Sequence, residues 1–385
     1  GHTLMLVSRS DRGLLARWWF TVDRPLMSAV LLLMATGVLI SMAASPPVAA
    51  RIGLDPFHFI KSQLFYLMIA VVVLVTVSFF DVIWARRLAL FTFLAMLGLM
   101  VAALVFGPEI KGAHRWINIG PINLQPSEIA KPAFVTVAAF FLAEHVRRPE
   151  MPGHIIAYGL FAVFVGLLVL QPDFGQTLLV LATFGVMLLV FGIAWRIIFA
   201  LLGMAVAGGV LAYFTVSHVA SRIDRFLHPD KGDTFQVDTA IQAFHNGGLL
   251  GAGPGAGEAK LILPDAHTDF SFAVVGEEFG LVACLALMAV FGFIIFRVLR
   301  RAKAESDPFA ALAMTGLAAM FGLQACINMG VNVALLPAKG MTLPFISYGG
   351  SSLIGTALAM GLVLALARER PALGLAPRLW QAVPA

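Results

Sequence analysis

"PLMSAVLLLMATGVLISMAA", Pro25 to Ala44, decides the fold. It is an apolar run of about 20 residues, the length at which a helix crosses the hydrocarbon core of a bilayer. Arg9, Arg12, Arg17 and Arg24 precede it. The run exceeds a signal-peptide core, so it is expected to stay as an uncleaved first span. Similar runs recur, and the sequence predicts helices at 25–45, 60–80, 87–107, 127–144, 153–170, 174–192, 195–216, 270–297, 308–334 and 348–367. Such a chain is an all-α, polytopic integral membrane protein. Composition agrees: 60% of residues are hydrophobic, 12% are charged and mean hydropathy is +0.91, whereas soluble domains are about a quarter charged. No stretch has the composition of a soluble core, so residues 1–385 are read as one membrane domain.

Charge sets the expected orientation. With the N-terminus inside, sixteen of the 26 Lys and Arg fall on the inner side, among them Arg24, Arg86, Arg87, Arg147, Arg148, Arg297, Arg300, Arg301 and Arg368. That bias is the one cytoplasmic loops carry. The segments 1–24 and 368–385 are therefore expected in the cytoplasm. The net charge of +5 is topological, and nucleic-acid binding is not expected. On the outer side lies a loop at 217–268, far longer than a connection needs, and long loops are usually functional. Cys284 and Cys326 sit inside apolar runs and behave as small hydrophobes.

Three polar constellations face that outer side. "LPDAHTDFSFAVVGEEFG", Leu263 to Gly280, places Asp265 and Asp269 ahead of an apolar run and Glu277 and Glu278 inside it. Pro264 and Thr268 look like a helix start, with Thr268 as cap and Asp269 either a first-turn acid or a functional group. Glu277, eight residues on, is expected about 12 Å deeper. There an unpaired acid costs about 3 kcal/mol or more, so each Glu must face the bundle interior or a wet cavity, either as a structural ion pair or as cavity lining. Asp269 and Glu277 are expected on one side and Glu278 on the other.

"GAHRWINIGPINLQPSEIAK", Gly112 to Lys131, carries Arg115, Trp116, Gln125, Ser127, Glu128 and Lys131. Pro126 suits the first position of a helix, and Glu128 and Lys131 at i, i+3 share a face. They read either as an intrahelical pair or as a polar wall where Lys131 meets an anion, with Trp116 at the headgroup level. "LLPAKGMTLPFISYGGSS", Leu335 to Ser352, has prolines and glycines that forbid a regular helix. Its donors include Lys339, Ser347 and Ser351, and the Gly349-Gly350 pair makes a plausible anion nest. Irregular backbone at membrane depth is tolerated when it is buried in protein or lines water.

Weaker signals have ordinary readings. "GAGPGAG", Gly251 to Gly257, is read as a flexible turn rather than a dinucleotide site, since no strand precedes it. Asp173 in "QPDFGQT" is expected to cap a helix. His245 and His267 lack metal-ligand spacing.

Taken in order, these segments, with Arg115-Trp116-Ile117, Gln125 to Glu128, Gln171 to Gly175, Ser221-Arg222-Ile223, Gly247-Gly248, His267 to Phe270, Gly276 to Glu278 and Pro337 to Ser352, resemble the SEDS family of bacterial shape, elongation, division and sporulation proteins. "WWFTVDRPL" and "AASPPVA" resemble its division members more than its elongation members. Asp265 stands where the family often has Glu, and Gln176 where it often has Thr. The resemblance implies a peptidoglycan glycosyltransferase that polymerises lipid II at the outer face of the cytoplasmic membrane. Its partners would be a septal class B penicillin-binding protein and other division membrane proteins.

The resemblance also implies that Asp269 is the catalytic acid. Lys131, Arg115 and Lys339 would offset the diphosphate charge, with N–H groups near Gly349 and Gly350 or a divalent cation such as Mg or Mn. The sequence shows no dedicated metal cage. The rival readings are a lipid II flippase or transporter, with the same buried charges lining a path, and an elongation-type polymerase of the same family.

Overall fold

The computed structural model describes residues 13–110, 112–193, 195–217, 220–221, 223–224, 235–263, 265–337 and 340–368. Of the expected terminal segments 1–24 and 368–385, only 13–24 and 368 are described. Among the described residues nine helices are long and apolar enough to cross a membrane. They are α2 (Arg24–Arg51), α3 (His58–Ser78), α4 (Val82–Phe106), α5 (Pro126–Arg147), α6 (Gly153–Leu170), α7 (Phe174–Phe191), α8 (Trp195–Thr215), α11 (Ser271–Ala304) and α12 (Pro308–Asn332). The tenth expected span is the 17-residue α13 (Gly350–Leu366). Short pieces complete the chain: α1 (Leu14–Thr21), a hairpin of β1 (Ile117–Ile119) and β2 (Ile122–Leu124), α9 (Phe235–Gly247) and α10 (Ala259–Ile262).

Short connections make successive spans antiparallel, and ion pairs fasten their basic ends. Arg297 Nε lies 2.7 Å from Asp23, and Arg147 Nη2 lies 2.6 Å from Asp307. Asp23 also caps α2 by accepting from Leu26 N. The centre of the bundle is α5, α12 and α13, whose residues are buried around most of their circumference. A helix that is apolar all round belongs inside such a bundle. The helices approach through small residues: a Cβ on Gly355 of α13 would lie 2.3 Å from the Glu128 carbonyl oxygen of α5. That is how membrane helices gain close van der Waals contact without a hydrophobic driving force between them. By contrast α8 has no buried residue.

Two details add to the expected helices and one changes them. A small hairpin stands beside the spans, where Ile117 pairs with Leu124 and Ile119 with Ile122 across the Gly120-Pro121 turn. The long loop carries α9 and α10, which pack on α2 and α11. Helix α11 is broken at Gly280, where φ is 79° and ψ is −178°. Loop backbone fills the break, since Leu281 N donates to Gly248 O at 2.9 Å and Val282 N to Leu249 O at 3.2 Å.

Gly280 occupies a backbone region that is essentially closed to other residues. A Cβ there would also lie 2.4 Å from Gly251 N. Gly280→Ala is expected to destabilise the protein by about 1–3 kcal/mol from backbone strain alone, read as a lower unfolding midpoint in detergent. An unchanged midpoint would contradict the account.

Candidate active site

Helix α5 opens as the sequence predicts, with Gln125 extended at the cap and Pro126 following it. Glu128 and Lys131 are both buried. Lys131 Nζ lies 2.8 Å from Glu128 Oε2, 2.6 Å from Gln176 Oε1 of α7 and 3.4 Å from Gln324 Oε1 of α12. Gln176 Nε2 closes the ring with a short bond to Glu128 Oε1. An ammonium has three donors, and all three have acceptors here. Lys131 thus points into the bundle, with no donor left for an anion in this arrangement.

Arg115 sits nearer the surface, its side chain 30% exposed. It donates from Nε to Gln171 O at 2.9 Å and from Nη2 to Pro172 O. Nη1 lies 3.7 Å from Asp173 Oδ2, which also accepts from Gln125 Nε2 at 3.1 Å. Asp173 Oδ1 accepts from Gln176 N, so Asp173 caps α7 as expected and binds the α5 and α7 entrances together. Trp116 beside Arg115 is half-buried. Ser127 is fully buried, and its hydroxyl has no hydrogen-bond partner among the described residues.

The irregular segment before α13 is exposed at Leu335, Leu336 and Gly340 and largely buried in protein from Met341 to Ser347. Ser347 Oγ accepts from Leu343 N at 2.9 Å, and Tyr348 N donates to His267 O at 2.8 Å. Ser351 Oγ accepts from Gln125 N at 2.8 Å and reaches Asn123 O at 3.3 Å, tying α13 to α5. Gly349 is the extended cap residue of α13, and Gly350 presses on the Tyr66 ring. Lys339 lies outside the described residues, as do Arg222 and Pro264.

Asp269 is half-buried in the turn that leads into α11. Its Oδ2 lies 3.5 Å from where a Cβ on Gly340 would stand, which brings the first and third constellations together. The helix start differs from expectation. It comes at Ser271 with Phe270 at the cap, and Thr268 Oγ1 bonds Asp265 O instead of capping. The Asp265 carbonyl collects the N–H groups of Thr268, Asp269 and Phe270, so the chain turns tightly before the helix begins.

Glu277 and Glu278 bind the loop that wraps the α11 break. Glu277 accepts from Ala259 N at 2.9 Å and Asn246 Nδ2 at 3.3 Å. Glu278 accepts from Gly255 N at 2.9 Å and from Lys260 Nζ in a short ion pair. Both therefore meet the same loop rather than facing opposite ways, because the loop encircles the short helix end. Gly251 to Gly257 is likewise no flexible turn: Ala252 N and Gly253 N donate to the Glu277 and Glu278 carbonyls.

Sequence reasoning passed over Gln324, Asn328 and Asn332, and noted Gln176 only as a departure from the family pattern. All four are buried amides within spans. Their signal was available as amides recurring every four residues along α12 in a membrane helix. Among the described residues no three His, Cys, Asp or Glu side chains converge in a way that would hold a metal ion.

The family model for FtsW, RodA and SpoVE, described as "Cell cycle protein", matches residues 24–372. The chain belongs to this family. It is 42% identical over 365 residues to the probable peptidoglycan glycosyltransferase FtsW of Caulobacter vibrioides, covering 94% of each chain. A second FtsW, from Saccharophagus degradans, is 35% identical, covering 89% of this chain and 91% of that one. Among solved structures it is similar to a chain from a peptidoglycan synthase complex that coordinates polymerisation and crosslinking. That match has a TM-score of 0.76 and 29% identity over 91% of this chain and 98% of that chain. RodA of Thermus thermophilus gives 0.66 and 30% over 91% and 97%.

The geometry of these residues makes two predictions. Lys131→Met alone leaves Glu128 buried with an uncompensated charge, at a cost of about 3–5 kcal/mol; the double variant Glu128→Gln/Lys131→Met is expected to recover much of that in thermal unfolding. His267 packs between Phe59 and Tyr348, with ring centroids 4.5 and 5.4 Å away. Burial pushes its imidazole down from the ordinary 6.5 to about 4, with Asp265 opposing and Arg51 adding to the fall. The unfolded chain then binds the proton more readily, so this stability is whole above pH 6.5 and is lost as pH falls towards 4. The loss is up to about 3 kcal/mol. Unfolding midpoints between pH 7 and 4.5 should fall less steeply in His267→Asn than in wild type.

Proposed function

We propose that this chain is a division-type peptidoglycan glycosyltransferase that polymerises lipid II, with Asp269 as its general base. The observation that carries the reading is the meeting of Asp269 with the Gly340 end of the irregular segment, in a chain of this family whose FtsW relatives bear that activity in their names. Forming a β-1,4 bond from an α-linked diphosphate donor inverts the sugar carbon. The acceptor hydroxyl attacks that carbon as its proton passes to Asp269, and the lipid diphosphate leaves. One base and local positive charge suffice, with no covalent intermediate.

Half-burial of Asp269 supports a carboxylate held in place yet open to an acceptor hydroxyl. Arg115, Lys339 and the N–H groups at the start of α13 would meet the diphosphate. Lys131, closed within its ring of oxygens, holds Glu128 and Gln176 in place, so that the α5 and α7 entrances keep their shape. Glu128 itself, with Gln125, Ser127, Ser347 and Ser351, shapes the wall behind the site, and Trp116 borders it. The basic ends of the helices support cytoplasmic termini and an extracytoplasmic site. A septal class B penicillin-binding protein is the proposed partner, in keeping with the synthase complex that the fold resembles.

The test is lipid II polymerisation by the purified protein with its penicillin-binding partner, the latter disabled in crosslinking. Wild type is expected to make glycan strands, and a folded Asp269→Asn protein at least about 100-fold fewer. Equal strands from both would remove Asp269 as the base. No strands from either, with lipid II crossing liposome membranes instead, would favour a flippase.

A further inference from the structure

Gln324, Asn328 and Asn332 lie at i, i+4 and i+8 on α12, which makes them one ridge of a single helix face. They are 4%, 1% and 0% exposed. A buried amide is costly unless bonded, and apart from a bond from Asn332 Nδ2 to Asn328 O at 2.9 Å on the same helix, the bonds these three make run to the candidate active site. Asn328 Nδ2 donates to Asp269 O at 3.0 Å and to Met341 O at 2.6 Å. Asn332 Nδ2 donates to the same Asp269 carbonyl at 2.9 Å. Asn332 Oδ1 accepts from Ala273 N at 3.0 Å. Gln324 Nε2 donates to Thr342 O at 3.1 Å, while its Oε1 faces Lys131.

The local reason is the helix start. The first intrahelical bond of α11 runs from Val274 N to Phe270 O, so the Ala273 N–H has no partner in its own helix. Asn332 supplies that partner from another helix. A carbonyl oxygen has two lone pairs, and the two asparagines occupy both on Asp269. The Asp269 peptide cannot turn without breaking two bonds. Asn328 also grips Met341, next to Gly340, where the Asp269 carboxylate lies.

We infer that Asn328 and Asn332 are positioning residues that set Asp269 against the 340–349 segment, with Gln324 extending the same ridge to Thr342 and Lys131. The inference rests on the reading of Asp269 as the base. Displacing a reacting group by about 1 Å costs on the order of 100-fold in rate. Loosening the ridge therefore lowers turnover and leaves substrate affinity in place.

The experiment compares wild type, Asn328→Leu and Asn332→Leu, each full-length with its penicillin-binding partner. It records kcat and KM for lipid II, the unfolding midpoint, and hydrogen exchange of the backbone amides at 269–273. Each variant is expected to lose about 10- to 100-fold in kcat with KM within about two-fold of wild type, and amides at 269–273 to exchange about ten-fold faster or more. A lower unfolding midpoint with kcat within two-fold of wild type would reduce the ridge to a packing role and overturn the inference. So would unchanged exchange at 269–273 in both variants. If wild type makes no strands, the polymerase reading fails, and the exchange data still decide whether the ridge holds Asp269.

Discussion

Lys131 carries an ammonium at 2% exposure inside a bundle of apolar helices. Such a charge stands only if each of its protons has an acceptor, because the penalty for an unpaired buried ion is several kcal/mol. The acceptors come from three places: Glu128 on its own helix, Gln176 on α7 and Gln324 on α12. Satisfying one side chain thereby fixes the relative height and rotation of three spans. Much of the site hangs from that arrangement, since Gln324 continues to Thr342, and Asp173, next to Gln176, meets Gln125 and Arg115.

The same demand is met differently around α11. A regular helix through Gly280 would satisfy its own backbone, yet the chain breaks there and hands its groups to the 247–260 loop. The Glu277 and Glu278 carboxylates repay the loop by accepting its N–H groups and the Lys260 ammonium. Backbones can come this close because glycine stands at Gly247, Gly251 and Gly280. The loop becomes a fixed wall, and the turn that bears Asp269 leads into the helix it braces. Rigid support behind a half-buried carboxylate is what a positioned base requires.

Much of this could be read in the chain itself. Apolar runs long enough to cross a bilayer betray each span, because lipid leaves a helix no choice but to present apolar side chains. The Glu128 and Lys131 contact follows from i, i+3 geometry within one helix, and the Asp173 cap follows from its place ahead of Phe174. The start of α11 was legible to within a residue, but its cap was misread as Thr268, because the partner of Ala273 N is Asn332, 59 residues away. The break at Gly280 was invisible for the same reason, as its compensation comes from a loop that begins some thirty residues earlier.

The sequence by itself determined the membrane-spanning character, the approximate spans, the crowding of polar motifs at one side and the family. These depend on hydropathy and short-range periodicity, which each segment carries alone. Tertiary structure decided which polar groups meet. It turned Lys131 inward, joined Glu277 and Glu278 to one loop, and placed two asparagines of α12 on the Asp269 carbonyl. A buried polar group must find its partner wherever packing brings one, and only the assembled bundle shows which one that is.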